Sequence, residues 1–129
     1  MFFPTTLEER LDHIQRNIQK AATSAGRTPK DITLVGITKS FPVEIWEQAL
    51  SVNLTTLGES RIQEAGEKAE TFIKRDKIEL HFIGHLQSNK VRKAIDLFDV
   101  IQTADSIKIV EKINRICKEN HQKQSLYLQ

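Results

Sequence analysis

The chain has one cysteine, Cys117, among its 129 residues. A single thiol closes no intramolecular disulfide, and it excludes a zinc site built from several cysteines. Cys117 also shares a helical apolar spacing with Ile109, Ile113 and Ile116, so it reads as core rather than as a nucleophile. Glycine is sparse, at 5 residues, and no Gly-rich fingerprint follows an apolar run, which leaves a dinucleotide fold and a phosphate-binding P-loop unsupported. The G-x-S-x-G elbow of serine hydrolases is missing too. Nothing approaches the roughly 20 apolar residues of a membrane span, and the apolar start Met1-Phe2-Phe3-Pro4 is too short for a secretory signal; cytoplasmic residence is the expectation. Charge of one sign is also lacking: 19 Lys and Arg stand against 17 Asp and Glu, for a net charge of +2. They are interspersed, with no stripe for nucleic acid or a membrane surface. The expected partners are small molecules or proteins.

With 39% hydrophobic and 28% charged residues, the chain has the composition of a single soluble domain over residues 1–129. Leu7, Leu11, Ile14, Ile18, Ala21 and Ala25 form the stripe of an amphipathic helix. Thr6 with Glu9 makes a capping box at its start, and Gly26 is its stop. The apolar run Ile32 to Lys39 reads as a strand. Val43, Trp46 and Leu50 share a helical face, with Pro42 near its first turn. Leu54 to Gly58 is a second strand, and Ile62, Ala65, Ala69, Phe72 and Ile73 share the next helical face. Lys74 to Lys77 is a charged, solvated connection. Ile78 to Gly84 is a third strand, Val91, Ala94 and Ile95 mark a short helix, and Val100 to Ala104 is a fourth strand. Asp105-Ser106 caps a helix running through Asn120, and Ser125 to Gln129 begins a fifth strand.

This alternation implies βαβ units and a mostly parallel α/β sheet. A doubly wound sheet and part of a (β/α)₈ barrel both fit. A complete barrel takes about 250 residues, so this length holds about half of one. An α/β domain is also not expected to stop on a bare parallel strand, because such sheets bury both faces.

Ligands of α/β proteins bind at the carboxyl edge of the sheet. That rim collects Thr38-Lys39, Gly58-Glu59-Ser60-Arg61, Gly84-His85-Leu86-Gln87-Ser88-Asn89-Lys90 and Thr103-Ala104-Asp105-Ser106. Lys39 closes its strand, and a lysine amine there can form a Schiff base with a carbonyl compound; a merely solvated lysine is the other reading. Gly58 and Gly84 would let a ligand approach the backbone closely. Glu59, His85 and Asp105 are the rim groups suited to acid or base work, although Glu59 could equally stabilise the following helix N-terminus. His81 and His85 are four apart, but on a strand that separates them by about 13 Å, too far for a shared metal. His81 reads as packed and His85 as a rim group able to hydrogen-bond a ligand; His13 and His121 read as solvated helix residues.

Four segments, Leu34 to Lys39, Gly58-Glu59-Ser60-Arg61-Ile62-Gln63-Glu64, His81 to Lys90 and Thr103 to Ser106, together resemble the pyridoxal phosphate homeostasis protein family. The resemblance runs from the first helix to Gln129 and covers the family's N-terminal portion. It implies an incomplete half-barrel of the alanine racemase N-terminal domain type, with about five parallel strands. It also implies pyridoxal 5′-phosphate as cofactor, a Schiff base on Lys39, a contact from Ser60, and a role in buffering intracellular vitamin B6 rather than catalysis; His85, from its rim position, is the second expected cofactor contact. A racemase-like enzyme acting on amino acids is the alternative, and a remnant that pairs its open sheet edges with another copy is a further one. At position 60 the family usually has asparagine, and the shorter Ser60 is expected to weaken that contact. The family continues into a second half with a Ser- and Gly-containing phosphate-binding segment, so weak binding by this chain alone is expected.

Overall fold

The computed structural model describes residues 6–129; the apolar start Met1-Phe2-Phe3-Pro4 lies outside them. Helix α1 (Leu7–Ser24) is followed by β1 (Gly36–Ile37), α2 (Glu44–Ser51), β2 (Thr56–Glu59), α3 (Ile62–Thr71), β3 (Glu79–Phe82), α4 (Val91–Leu97), β4 (Val100–Ala104), α5 (Ile107–Glu119) and β5 (Ser125–Leu128). The five strands form one sheet in the order β1-β2-β3-β4-β5, and every neighbouring pair is parallel. Strand order follows chain order without reversal, so the sheet lacks the switch point of a doubly wound fold.

Local chemistry sets the helix ends. The Thr6 hydroxyl accepts the Glu9 amide at 3.1 Å, and Ser106 accepts that of Ile109 at 3.2 Å, each satisfying a donor that the first helical turn leaves free. Helices α1, α2 and α5 all stop the same way. Gly26, Asn53 and His121 take positive φ of 71°, 61° and 52°, and the next amide closes back onto the carbonyl of Ala22, Ala49 or Cys117 at 2.8 to 2.9 Å, the bond of a Schellman motif. His121 is therefore a cap beyond α5 rather than a residue on the helix.

Pairing residues define the two faces of the sheet. Leu57 lies beside Leu80, and Glu59 beside Phe82 and Ile101 in turn. These side chains point toward α2 to α5, where they pack with Trp46, Ala65, Val91, Ile95, Phe98, Ile113 and Ile116. Trp46 meets Phe72 edge-on with centroids 5.3 Å apart, and Phe82 meets Phe98 at 5.0 Å. The alternate residues Ile37, Gly58, His81 and Val100 fall on the other face, as period-two alternation requires. On that face Ile37 and Tyr127 are exposed, while His81 is buried. Cys117 is buried in the core, and burial raises its thiol pKa.

Three further expectations need correction. The Ile32 to Lys39 strand is paired only at Gly36–Ile37, because β1 is an edge strand and only these residues meet Leu57 and Gly58 of β2. Ile73 does not share the α3 face; the helix stops at Thr71, Phe72 turns into the core, and Ile73 is 97% exposed. The Lys74 to Lys77 connection is not simply solvated. Arg75 donates to the carbonyls of Ile78 at 3.0 Å and Leu97 at 2.7 Å and pairs with Asp99 at 3.0 Å, tying the amino-terminal ends of β3 and β4 together.

Candidate functional site at the carboxyl edge

Chain geometry puts Lys39 at the tip of a tight turn. The Thr38 amide still donates to Gly58 at 3.0 Å, extending the β1–β2 ladder by one bond, and the Phe41 amide donates to the Thr38 carbonyl at 3.2 Å. Ser40, third of the four turn residues, has φ 68°, the positive value a type II turn demands and glycine supplies without strain. Lys39 is exposed. Among the described residues it makes no hydrogen bond or ion pair.

Both neighbours of Lys39 are held from beneath. Thr38 is 4% exposed, and its hydroxyl donates to Glu59 while accepting the Trp46 indole N–H at 3.1 Å. Lys68 of α3 is 6% exposed; its ammonium donates to the Thr38 carbonyl at 2.9 Å and to Glu59 Oε2 at 2.8 Å, and it pairs with Glu64 at 3.2 Å. Glu64 in turn accepts the Ser40 amide at 2.5 Å. The Lys68 ammonium also lies 5.9 Å from the Trp46 ring centroid, within cation–π range. Among the described residues, Glu59 Oε1 is the buried side-chain oxygen or nitrogen with no hydrogen-bond partner.

Glu59 thus differs from expectation. It is fully buried on the helix-covered face as half of an ion pair, and does not face the rim as an acid, a base or a helix cap. Its β2 position and the alternation of the strand turn it inward, while Gly58 and Ser60 take the other direction. The glycines are required by the packing of the chain itself. A Cβ on Gly84 would lie 2.1 Å from the Ser60 carbonyl, and one on Gly58 would lie 2.8 Å from the Ile37 side chain. Gly84→Ala is therefore expected to force β2 and β3 apart at their carboxyl ends and to cost about 3 kcal/mol or more, measured as a drop in the urea midpoint at constant slope.

The remaining candidates separate in space. Continued two residues past the Ile37–Gly58 pair, the register sets Lys39 beside Ser60, so these two share one end of the face that carries Ile37 and Gly58. His85 is exposed beyond β3, with its ring 3.7 Å from Asp105 after β4. Strand β2 stands between its strand and that of Lys39. His81 is packed, as expected. Gln102 donates to its Nδ1 at 2.8 Å, and its Nε2 donates to Glu79 at 2.6 Å. Lys68 and Glu64 were not among the sequence candidates. Their signal was present: Lys68 occupies the same helical face as Ala65 and Phe72, where a lysine is out of place unless paired, and Glu64 lies four residues before it.

Burial acts to raise the Glu64 carboxyl, but the Ser40 amide, the Lys68 ammonium and the Arg61 guanidinium outweigh it and hold it below its ordinary 4.5. A carboxylate lowered in the folded state contributes stability that is full above its unfolded pKa and is lost as pH falls through the folded one. The urea midpoint should accordingly fall as pH drops below about 4.5, and Glu64→Gln should flatten that decline. An unchanged acid limb in the variant would contradict the assignment.

No protein-family model matches the chain. Curated relatives do match. The pyridoxal phosphate homeostasis protein of Pasteurella multocida is 40% identical over 110 residues, 84% of this chain and 47% of the relative. Its namesake in Vibrio alginolyticus is 34% identical over 113 residues, 85% of this chain and 48% of the relative. Over the length matched, the chain belongs to the pyridoxal phosphate homeostasis protein family. It spans about half the length of the curated family members it matches. PipY of Synechococcus elongatus, solved with and without pyridoxal phosphate, is 30% identical, with a TM-score of 0.73 over 84% of this chain and 51% of PipY. An unknown protein from Bifidobacterium adolescentis superposes with a TM-score of 0.83 at 28% identity, over 92% of this chain and 52% of that one. The family's α/β architecture is therefore present here as a five-stranded parallel sheet.

Proposed function

We propose that this chain binds pyridoxal 5′-phosphate covalently through Lys39 and that the protein works in vitamin B6 homeostasis as a carrier rather than a catalyst. The observation that carries this reading is the placement of Lys39. An unpaired amine stands at the carboxyl edge of a parallel sheet, on a turn whose flanking residues are both pinned, in a chain whose relatives are named for pyridoxal phosphate and whose structural neighbour PipY was solved with it bound.

The residues present fit one end of this cofactor. Pyridoxal phosphate bound there would supply an electrophilic aldehyde, and Lys39 is the residue whose amine would hold it. Ile37 and Ile83 close over Gly58 on its face of the sheet, giving an apolar surface beside Ser60. Ser60 is the residue placed to donate a hydroxyl there. His85, toward the β3–β4 side of the rim, is retained as a second polar contact. A dianionic phosphate is bound most effectively by backbone amides at helix N-termini, and in the family that the chain resembles the phosphate-binding segment lies in the half that this chain does not span. Joining the chain to the remaining half of the Pasteurella multocida relative should therefore tighten binding at least about tenfold, about 1.4 kcal/mol.

A carrier role is supported by the fate of the rim acids. Glu59 is locked to Lys68, Glu64 is engaged by the Ser40 amide and Lys68, and Asp105 lies beside His85, so among the described residues each carboxylate of the rim already has a partner. The sequential strand order supports the further reading that the sheet is an arc of a (β/α) barrel of the alanine racemase N-terminal type, since barrels are built from strands in chain order. No helix of the described residues is long and apolar enough to cross a membrane; with one buried thiol and no disulfide, cytoplasmic residence is part of the proposal. So is self-association through the open β1 and β5 edges, which unpaired backbone groups favour.

The test is a titration of the chain with pyridoxal 5′-phosphate, followed by visible absorbance. A saturable new band supports the reading. A spectrum equal to the sum of protein and free cofactor contradicts it. D- or L-alanine added to the loaded protein should not be interconverted; turnover would favour the racemase-like alternative.

A further inference from the structure

We infer that Glu64 and Lys68 are positioning residues for Lys39: from one face of α3 they grip the backbone on both sides of it and aim its amine. The inference rests on the reading of Lys39 as the cofactor-bearing lysine and adds to it a device that sets the geometry of that amine.

The grip has two jaws. Lys68 reaches the carbonyl of Thr38 at 2.9 Å, and Glu64 takes the amide of Ser40 at 2.5 Å. The jaws are joined to each other at 3.2 Å, and Lys68 is anchored to the buried Glu59 at 2.8 Å. Every residue of the clamp except Ser40 and Thr38 comes from β2 or α3, so the β2–α3 unit controls the orientation of a side chain that belongs to the β1–α2 turn. Control is needed because the turn is strained. Ser40 has φ 68° without being glycine, a conformation unfavourable for an L-residue that persists only where its surroundings hold it. A hydrogen bond to a charged acceptor such as Glu64 is among the stronger ones and offsets that cost. Without Glu64 the turn can relax, and Lys39, at its second position, swings with it. Such a misplaced amine loses the preorganised geometry on which addition to a carbonyl depends.

Substitutions at Glu64 separate positioning from folding, because this side chain is 22% exposed and Lys68 keeps Glu59 as a partner without it. In the full chain, Glu64→Ala removes the acceptor, whereas Glu64→Gln keeps a carbonyl that can still take the Ser40 amide. Ile116→Val, in the core on α5, is the control that lowers stability and leaves the clamp intact. Two quantities are read on each protein: hydrogen exchange of the Ser40 amide without cofactor, and the equilibrium constant for pyridoxal 5′-phosphate from the visible band. Glu64→Ala is expected to speed exchange at Ser40 and weaken cofactor binding, each by about tenfold. Glu64→Gln should recover most of both, and Ile116→Val should change neither. Faster exchange in Glu64→Ala with wild-type binding would overturn the inference and leave the reading of Lys39 standing. Equal weakening in Ile116→Val and Glu64→Ala would overturn it as well, since the effect would then be one of stability. A wild-type chain that gives no band would remove the reading of Lys39, and the inference with it.

Discussion

Lys39→Ala is expected to abolish the visible band that pyridoxal 5′-phosphate gives with the wild-type chain, with little change in stability. The side chain is exposed and unpaired among the described residues, so its truncation leaves no cavity and no orphaned partner, and the folding free energy should stay within about 0.5 kcal/mol. Lys39→Arg sharpens the result. Arginine keeps the positive charge and the aliphatic stem, but its guanidinium stays protonated at any accessible pH and is no nucleophile. If Lys39 served only to attract the cofactor phosphate, arginine would substitute for it; if it forms a covalent bond, arginine should be as inert as alanine. The chain carries 19 Lys and Arg, and residual, non-saturable reaction of other lysines provides the background.

The second large effect falls on the support rather than the site. Lys68→Met should destabilise the fold by about 3–5 kcal/mol, because it leaves Glu59 charged, fully buried and without its cation. The double variant Lys68→Met/Glu59→Gln should recover more than half of that loss. An apolar and a neutral side chain of similar volume carry no ionic desolvation penalty, and the introduced side-chain amide still offers an oxygen to the Thr38 hydroxyl. Urea midpoints at neutral pH measure both. Additive losses in the double variant would show that the ion pair is not the source of the effect.

Elements with a strong local signal were legible in the chain itself. The α1 cap at Thr6, the Gly26 stop, the Val100–Ala104 strand and the Ser106 cap all appear where periodicity and capping chemistry place them. Lys39 was legible because an apolar run leads directly into it. What local patterning could not supply was the partner of each polar residue. Glu59 read as a rim acid, because a carboxylate after a strand is usually outside; its burial depends on Lys68 reaching it from a separate element, nine residues on. The length of β1 was overestimated for a related reason. Apolar content signals burial, whereas a ladder also needs a neighbour in register, and β1 has one only at Gly36 and Ile37. Sheet order was open as well, since alternation of strands and helices serves a barrel arc and a doubly wound sheet equally, and only the pairing decides for sequential strands.

The central claim is that one particular amine holds the cofactor. Its most direct test is to incubate the chain with a stoichiometric amount of pyridoxal 5′-phosphate, reduce the C=N bond with borohydride, and map the modified peptide by mass. The account predicts that the reduced cofactor is carried by the peptide containing Lys39 and by no other in comparable amount. Label spread over the exposed lysines in proportion to their accessibility, or concentrated elsewhere, would contradict it.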